Sequence, residues 1–417
     1  MTSSGVSSGI RWTPRARRLG RLATAVGVVI VLAAGWATCN HGAVPPRSSS
    51  TQSPSPTGTP STSADSMPPA TVVWTTGGLP DGFRDHLVQL SDVDHVVTVV
   101  GGTAWLTRSK NAAGAIVDQP TSPSGIPVEV FGASPGGYAA FVPASLKKPF
   151  TAALRRGKGV IGQTSSALRK IGPGGTLEFG EVKIGVALVV PDAVVGASGL
   201  FVSTRTAGKL QITEGRYALL DLAKPKTDEA LTTTLQPFIS TGQVLRVFAP
   251  GEKASPYERV GGTTVPPVFM MQRFGEFSGL PDPARPGWIA MDPTWVSAHI
   301  KSKTVPILGR VTCNEALFPQ LIGALSEIQA KGLADKVHST AGCYAPRMVT
   351  SNPTSGISQH AWGAAIDINA PENPFGATPT QDRHVVRIFE KWGFLWGGDF
   401  AIPDGMHFEY LKPPPSG

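Results

Sequence analysis

The chain has 417 residues and a formal net charge of +8, which is long enough for two or three domains and for a full core that needs no metal or disulfide merely to fold. Six arginines (Arg11, Arg15, Arg17, Arg18, Arg21 and Arg47) against one acid, Asp65, place +5 of that charge in the first 70 residues. The remaining +3 is spread over everything that follows, too dilute to track a phosphate backbone, so a nucleic-acid partner is excluded.

Residues 1–21 read as a basic cytoplasmic tail. Leu22 to Thr38 (LATAVGVVIVLAAGWAT) carries no charge, and with Cys39 the apolar run reaches 18 residues, near the lower limit for a spanning helix. The expectation is a single-pass transmembrane anchor over 22–39, with everything after Asn40 outside the cell membrane, in the cell-wall space. A cleaved signal peptide is the competing reading, because Gly35-Trp36-Ala37 is a passable small-x-small site. Residues 40–70 are dominated by Pro, Ser and Thr and offer too few apolar side chains to offset chain entropy, so a disordered linker is expected.

From 71 to 265, short β-branched runs alternate with Gly and Pro: 95–106, 128–135, 176–191 and 199–207. Helical pieces between Ser145 and Lys170 are expected to break at Pro149 and again around Gly157 to Gly159. This is a strand-rich α+β domain. Residues 157–180 faintly resemble the extracytoplasmic domains of MacB- and FtsX-like permeases, which implies an assembly or sensing module with a protein partner rather than catalysis.

The composition changes from 266 to 417, where five of nine tryptophans fall (Trp288, Trp295, Trp362, Trp392 and Trp396). Apolar residues at 3–4 spacing predict an amphipathic helix over Asn314 to Lys331, ended by Gly332. A second helix is predicted over Gln381 to Trp392, with Thr380 as its cap and Gly393 as its stop. Gly363 to Asn369 and Met406 to Leu411 read as strands, giving a small α+β domain with a sheet. Cys313 and Cys343 lie in this region and, outside the membrane, are expected to form a disulfide.

Ser358 to Asp367 (SQHAWGAAID) and Asp404-Gly-Met-His407 hold the chemistry. Side chains two apart share one face of a strand, so His407 and Glu409 point together and Asp367 points with Ala365. If the two strands pair, His360, Asp367 and His407 converge as two imidazoles and a carboxylate. With an open fourth position that is a catalytic zinc arrangement, and its ligand types suit zinc better than calcium. Asp404 is the expected general base, and later the acid for the leaving amine. Arg347 is a fixed positive charge for a carbonyl oxygen or a substrate carboxylate. Glu409 is expected to orient an imidazole. Ser358 is expected to bond the turn or the substrate, and Trp362 and Trp396 are candidates for shaping the groove.

Residues about 288 to 412 resemble the VanY/VanX-type (LAS) zinc D-alanyl-D-alanine carboxypeptidases and peptidoglycan endopeptidases. Ser358, His360, Gly363, Ala365 and Asp367 fit the SxHxxGxAxD signature, Asp404 to Glu409 fits the second ligand motif, Tyr344 to Arg347 fits YxxR, and Phe394 to Gly398 fits the GFxWGG run. The resemblance implies zinc held by His360, Asp367 and His407, with an acidic base three residues before the last ligand. That base is Glu in many members and Asp here. The expected function is hydrolysis of an amide bond in peptidoglycan stem peptides. The alternative is a wall-binding or regulatory protein that keeps the peptidase fold without turnover.

Overall fold

The computed structural model describes residues 66–414 apart from Pro225, 251–257 and 260–261. The fold is α+β, with a small sheet near the C-terminus. One part of the expected architecture is corrected: among the described residues no helix is long and apolar enough to cross a membrane. The expected anchor at 22–39, the tail before it and nearly all of the 40–70 linker lie outside the described residues, so the fold is stated without a transmembrane helix.

Ten strands make the large sheet: β1 (Thr71–Thr75), β2 (Val93–Leu106), β3 (Arg108–Lys110), β4 (Ile126–Ala133), β5 (Gly159–Gly162), β6 (Thr176–Phe179), β7 (Val182–Val190), β8 (Leu200–Ser203), β9 (Gly215–Leu222) and β10 (Leu245–Phe248). Their order is β10-β1-β9-β2-β4-β8-β5-β7-β6-β3. The β4/β8 and β5/β7 pairs are parallel. Because β3 follows β2 directly in the chain yet pairs with β6, the sheet curls back on itself. The inside of the curl is filled by Val128, Val130, Ile161, Leu177, Ile184, Leu200 and Val202, all essentially buried.

Two local expectations for this region change. The helix Ala144–Arg155 runs through Pro149. The proline is on the exposed side, where water can satisfy the freed carbonyl, while Phe150, Ala153 and Leu154 anchor the other side in the core. The run 199–207 divides into β8 and a helix over Thr204–Lys209, because the Ser203 hydroxyl caps Thr206 N–H.

In the C-terminal region, four antiparallel strands lie in the order Thr340–Gly342, Ala365–Ile368, His407–Tyr410, Phe394–Trp396. The first predicted helix opens as a 3-10 turn, Glu315–Leu317, and continues as Phe318–Ala330. The second covers Arg383–Lys391, and its cap is Asp382 rather than Thr380: the Asp382 carboxylate accepts from His384 and Val385 N–H. Thr380 instead bonds the Glu372 carbonyl. Both helices bury their apolar faces in one core with Phe274, Trp362, Phe394 and Phe408. A hairpin of Ile300–Val305 and Gly309–Asn314, absent from the sequence expectation, carries Cys313.

The curled sheet and the C-terminal region are in direct contact. Gly125 and Gly279 exchange backbone hydrogen bonds of 2.8 and 2.9 Å, and Thr103 N–H donates to the Thr354 carbonyl at 2.8 Å. Gly102 permits that approach, since a Cβ there would press on the same carbonyl oxygen. Buried Arg169 pairs with Glu276 at 2.9 Å.

Candidate active site

The strands Ala365–Ile368 and His407–Tyr410 pair with Asp367 opposite His407 and Ala365 opposite Glu409. The polar faces therefore meet, while Phe408 turns to the other side against Phe389. His360 arrives from a 3-10 turn, Gln359–Trp362, capped by the Ser358 hydroxyl, which accepts from His360 N–H. Gly363 ends the turn at φ 65°, and the Asn314 backbone nitrogen leaves no space for a Cβ there. That accounts for a glycine three residues after His360.

Three ligand atoms converge. His360 Nε2, His407 Nδ1 and Asp367 Oδ1 form a triangle with sides of 3.1, 3.2 and 3.1 Å. Tetrahedral bonds of about 2.0–2.2 Å to one ion would set such ligand atoms roughly 3.3 Å apart, so the triangle has the size of a metal site. The second nitrogen of each imidazole is already engaged. His360 Nδ1 lies 2.8 Å from the Cys343 carbonyl, which only accepts, so that nitrogen carries the proton and Nε2 offers a lone pair. His407 Nε2 lies 3.1 Å from the Glu409 carboxylate, and Glu409 in turn accepts from the Thr264 hydroxyl. Both rings are thus oriented by outer partners, as metal-ligating histidines are. His360, Asp367 and His407 together can hold a metal ion.

Charge completes the fit. Burial works to raise the Asp367 pKa, but hydrogen bonds to both imidazoles overcome it and hold the carboxyl well below its usual range. Burial works to lower the His407 pKa, and its bonds to Asp367 and Glu409 reverse this, pushing it to about 9. The pocket therefore favours positive charge between these groups.

Asp404 belongs to the same electrostatic cluster. Burial raises its pKa, His407 lowers it, Asp367 raises it, and His360 and Arg347 lower it. One of its carboxylate oxygens is buried without a hydrogen-bond partner, while its backbone is fixed by Gly397 O at 2.8 Å and by His407 N–H at 3.1 Å. The Arg347 carbonyl accepts from Ser358 N–H at 3.2 Å, tying the arginine to the turn that carries His360.

The two tryptophans are core residues. Trp396 is buried, donates to the Gly405 carbonyl at 2.9 Å and lies beneath the Arg383 guanidinium, so it braces the turn after Asp404. Trp362 is fully buried against Phe277. Cys313 and Cys343 are joined as a disulfide, which fixes the segment whose carbonyl orients His360. Thr264 and Gln359 escaped the sequence reading. Gln359 lies inside the motif but is of no ligand type, and Thr264 is 145 positions from Glu409, with no local pattern to mark it.

Comparison with solved structures finds the periplasmic region of MacB from Actinobacillus actinomycetemcomitans, at 11% identity and a TM-score of 0.28, covering 42% of this chain and 87% of that one. It also finds a domain of a putative permease protein from Porphyromonas gingivalis, at 13% identity and a TM-score of 0.28, covering 44% and 93%. No curated protein matches the chain. The profile of the D-alanyl-D-alanine carboxypeptidase family matches residues 351–410, the span that holds Ser358, His360, Asp367, Asp404, His407 and Glu409, and the C-terminal region is thereby similar to that peptidase family.

Proposed function

We propose that the protein is a zinc peptidase that hydrolyses an amide bond in the stem peptides of peptidoglycan, as a carboxypeptidase or an endopeptidase, in the cell-wall space. The observation that carries this reading is the triangle of His360, Asp367 and His407 with both outer imidazole nitrogens already engaged. The disulfide supports an oxidising compartment. Zinc bound there would supply Lewis acidity toward a carbonyl and lower the pKa of a water.

The chain's own residues do the rest. Asp404 has a buried, unpartnered carboxylate oxygen and a raised pKa, the properties of a group that accepts a proton from the attacking water and returns it to the leaving amine. Arg347 places positive charge where negative charge grows on the carbonyl oxygen, or meets a terminal carboxylate. Glu409 and the Cys343 carbonyl hold the imidazoles in the tautomers that leave one lone pair each for the ion. Incubation of the zinc-supplemented chain with muropeptides should release a D-amino acid or a cleaved stem, with Asp404→Asn lowering turnover by about 10²–10⁴-fold. Turnover unchanged in that variant removes Asp404 from the mechanism.

A further inference from the structure

The two histidine-bearing elements of the site share one hydroxyl. Thr264 Oγ1 donates to the carboxylate of Glu409, which lies two residues past His407 on the strand His407–Tyr410. The same oxygen lies 3.2 Å from Nε2 of Gln359, the neighbour of His360 on the turn Gln359–Trp362. The roles follow from the partners. A carboxylate only accepts, so the threonine proton goes to Glu409, and the threonine oxygen is left to accept the Gln359 amide N–H.

The shared hydroxyl closes a circuit. His407 Nε2 meets Glu409 at 3.1 Å, Glu409 meets Thr264, Thr264 meets Gln359, and the adjacent His360 returns to His407 through an Nε2 to Nδ1 distance of 3.1 Å. Thr264, Gln359 and Glu409 are all buried, so water is poorly placed to substitute for any of these bonds. A hydrogen bond to an ionised carboxylate is about twice as strong as one between neutral groups, which makes the Thr264 hydroxyl a firm hold on Glu409.

Thr264 lies outside both ligand motifs and outside residues 351–410, the span that matches the carboxypeptidase family. It follows the short strand Gly262–Thr263 and precedes the helix Pro267–Phe274, where the chain passes from the curled sheet into the C-terminal region. Met270, Met271 and Phe274 anchor that helix in the core. The hydroxyl is therefore presented from a fixed base.

We propose that Thr264 is a positioning residue for the metal site. Its hydroxyl holds Glu409 against His407 and ties the strand carrying His407 to the turn carrying His360, which keeps the two imidazoles at the separation an ion needs. Only the consequence for hydrolysis rests on the proposed function. The claim separates hydroxyl from packing, because valine keeps the shape of threonine without its hydroxyl and serine keeps the hydroxyl without the methyl.

Zinc titration calorimetry on the chelator-treated full chain tests this in Thr264→Val and Thr264→Ser, and in Thr264→Val combined with Glu409→Ala. Affinity should fall about tenfold in Thr264→Val and stay near wild type in Thr264→Ser. In the Glu409→Ala background Thr264→Val should add little, because the hydroxyl acts through Glu409. Wild-type affinity in Thr264→Val, an equal loss in Thr264→Ser, or an undiminished effect in the Glu409→Ala background overturns the proposal. Nitrogen-15 spectra of the metal-free chain give a second readout: the His407 Nε2 proton, donated to Glu409, should exchange with solvent faster in Thr264→Val and at the wild-type rate in Thr264→Ser. Equal exchange in Thr264→Val overturns the role of Thr264 whether or not zinc binds. If the unaltered chain takes up no zinc, the proposed zinc peptidase falls and proton exchange still decides the role of Thr264. If zinc binds and muropeptides stay intact, hydrolysis falls and the Thr264 result stands.

Discussion

Asp367 and His407 occupy opposed positions on neighbouring antiparallel strands, and that register brings a carboxylate oxygen and an imidazole nitrogen to 3.1 Å. A slip of one residue would turn His407 and Glu409 to the far face and bring Phe408 to Asp367. The core contacts of Phe408 with Phe389 and Trp396 therefore hold the site in register.

Metal affinity should report the outer partners as well as the ligands. One zinc ion per chain is expected, with affinity reduced about 10–100-fold in Glu409→Gln, which weakens the acceptor behind His407. His360→Ala should cost more. Calorimetric titration of chelator-treated protein measures both, and a Glu409→Gln affinity equal to wild type would remove the outer role of Glu409.

The disulfide closes a loop with a sequence separation of 30, for which chain entropy gives about 3–4 kcal/mol. Replacing Cys313 and Cys343 together by alanine should lower stability by up to that amount. It should also weaken metal binding, because the Cys343 carbonyl orients His360. Urea denaturation and the metal titration, run on the same variant, separate the two effects.

Gly323 lies in the helix Phe318–Ala330, where a Cβ would collide with the Trp392 ring. That ring is pinned by its bond to Glu327 at 2.9 Å. Alanine gains about 1 kcal/mol of helix propensity, but overpacking against a fixed ring costs about 1–3 kcal/mol. Gly323→Ala should therefore be destabilising on balance, and should become stabilising in a Trp392→Leu background, as thermal denaturation of the four proteins would reveal.

Arg108 beside Glu178 holds that carboxyl below its ordinary value, its hydrogen bond outweighing burial. The folded pKa is lowered, so the stabilisation is complete above the unfolded value near 4.5 and is lost as pH falls through the folded value. The stability difference between wild type and Glu178→Gln should shrink from about pH 6 to about pH 3. A difference that stays constant in urea titrations across that range would contradict it.

The site was more legible in the sequence than the fold around it. His360, Asp367, His407 and Asp404 stand within two short segments, where strand period sorts the faces of Asp367 and His407 and the adjoining turns carry His360 and Asp404, and Cys313 and Cys343 were few enough to pair. The curled sheet was harder to read, because β1, β9 and β10 join across more than a hundred residues and local patterning carries no pairing information. Helix ends shifted where a competing side chain lay nearby, as Asp382 displaced Thr380. The Gln359–Thr264–Glu409 link was invisible, since it depends on a tertiary contact between residues of ordinary type.

Mass analysis of muropeptides after incubation with the zinc-supplemented chain tests the proposed peptidase most directly. The expected result is loss of a D-amino acid or cleavage within the stem, abolished in His360→Ala and lowered by about 10²–10⁴-fold in Asp404→Asn. Unchanged muropeptides with the zinc-loaded wild type, or wild-type cleavage in either variant, would contradict it.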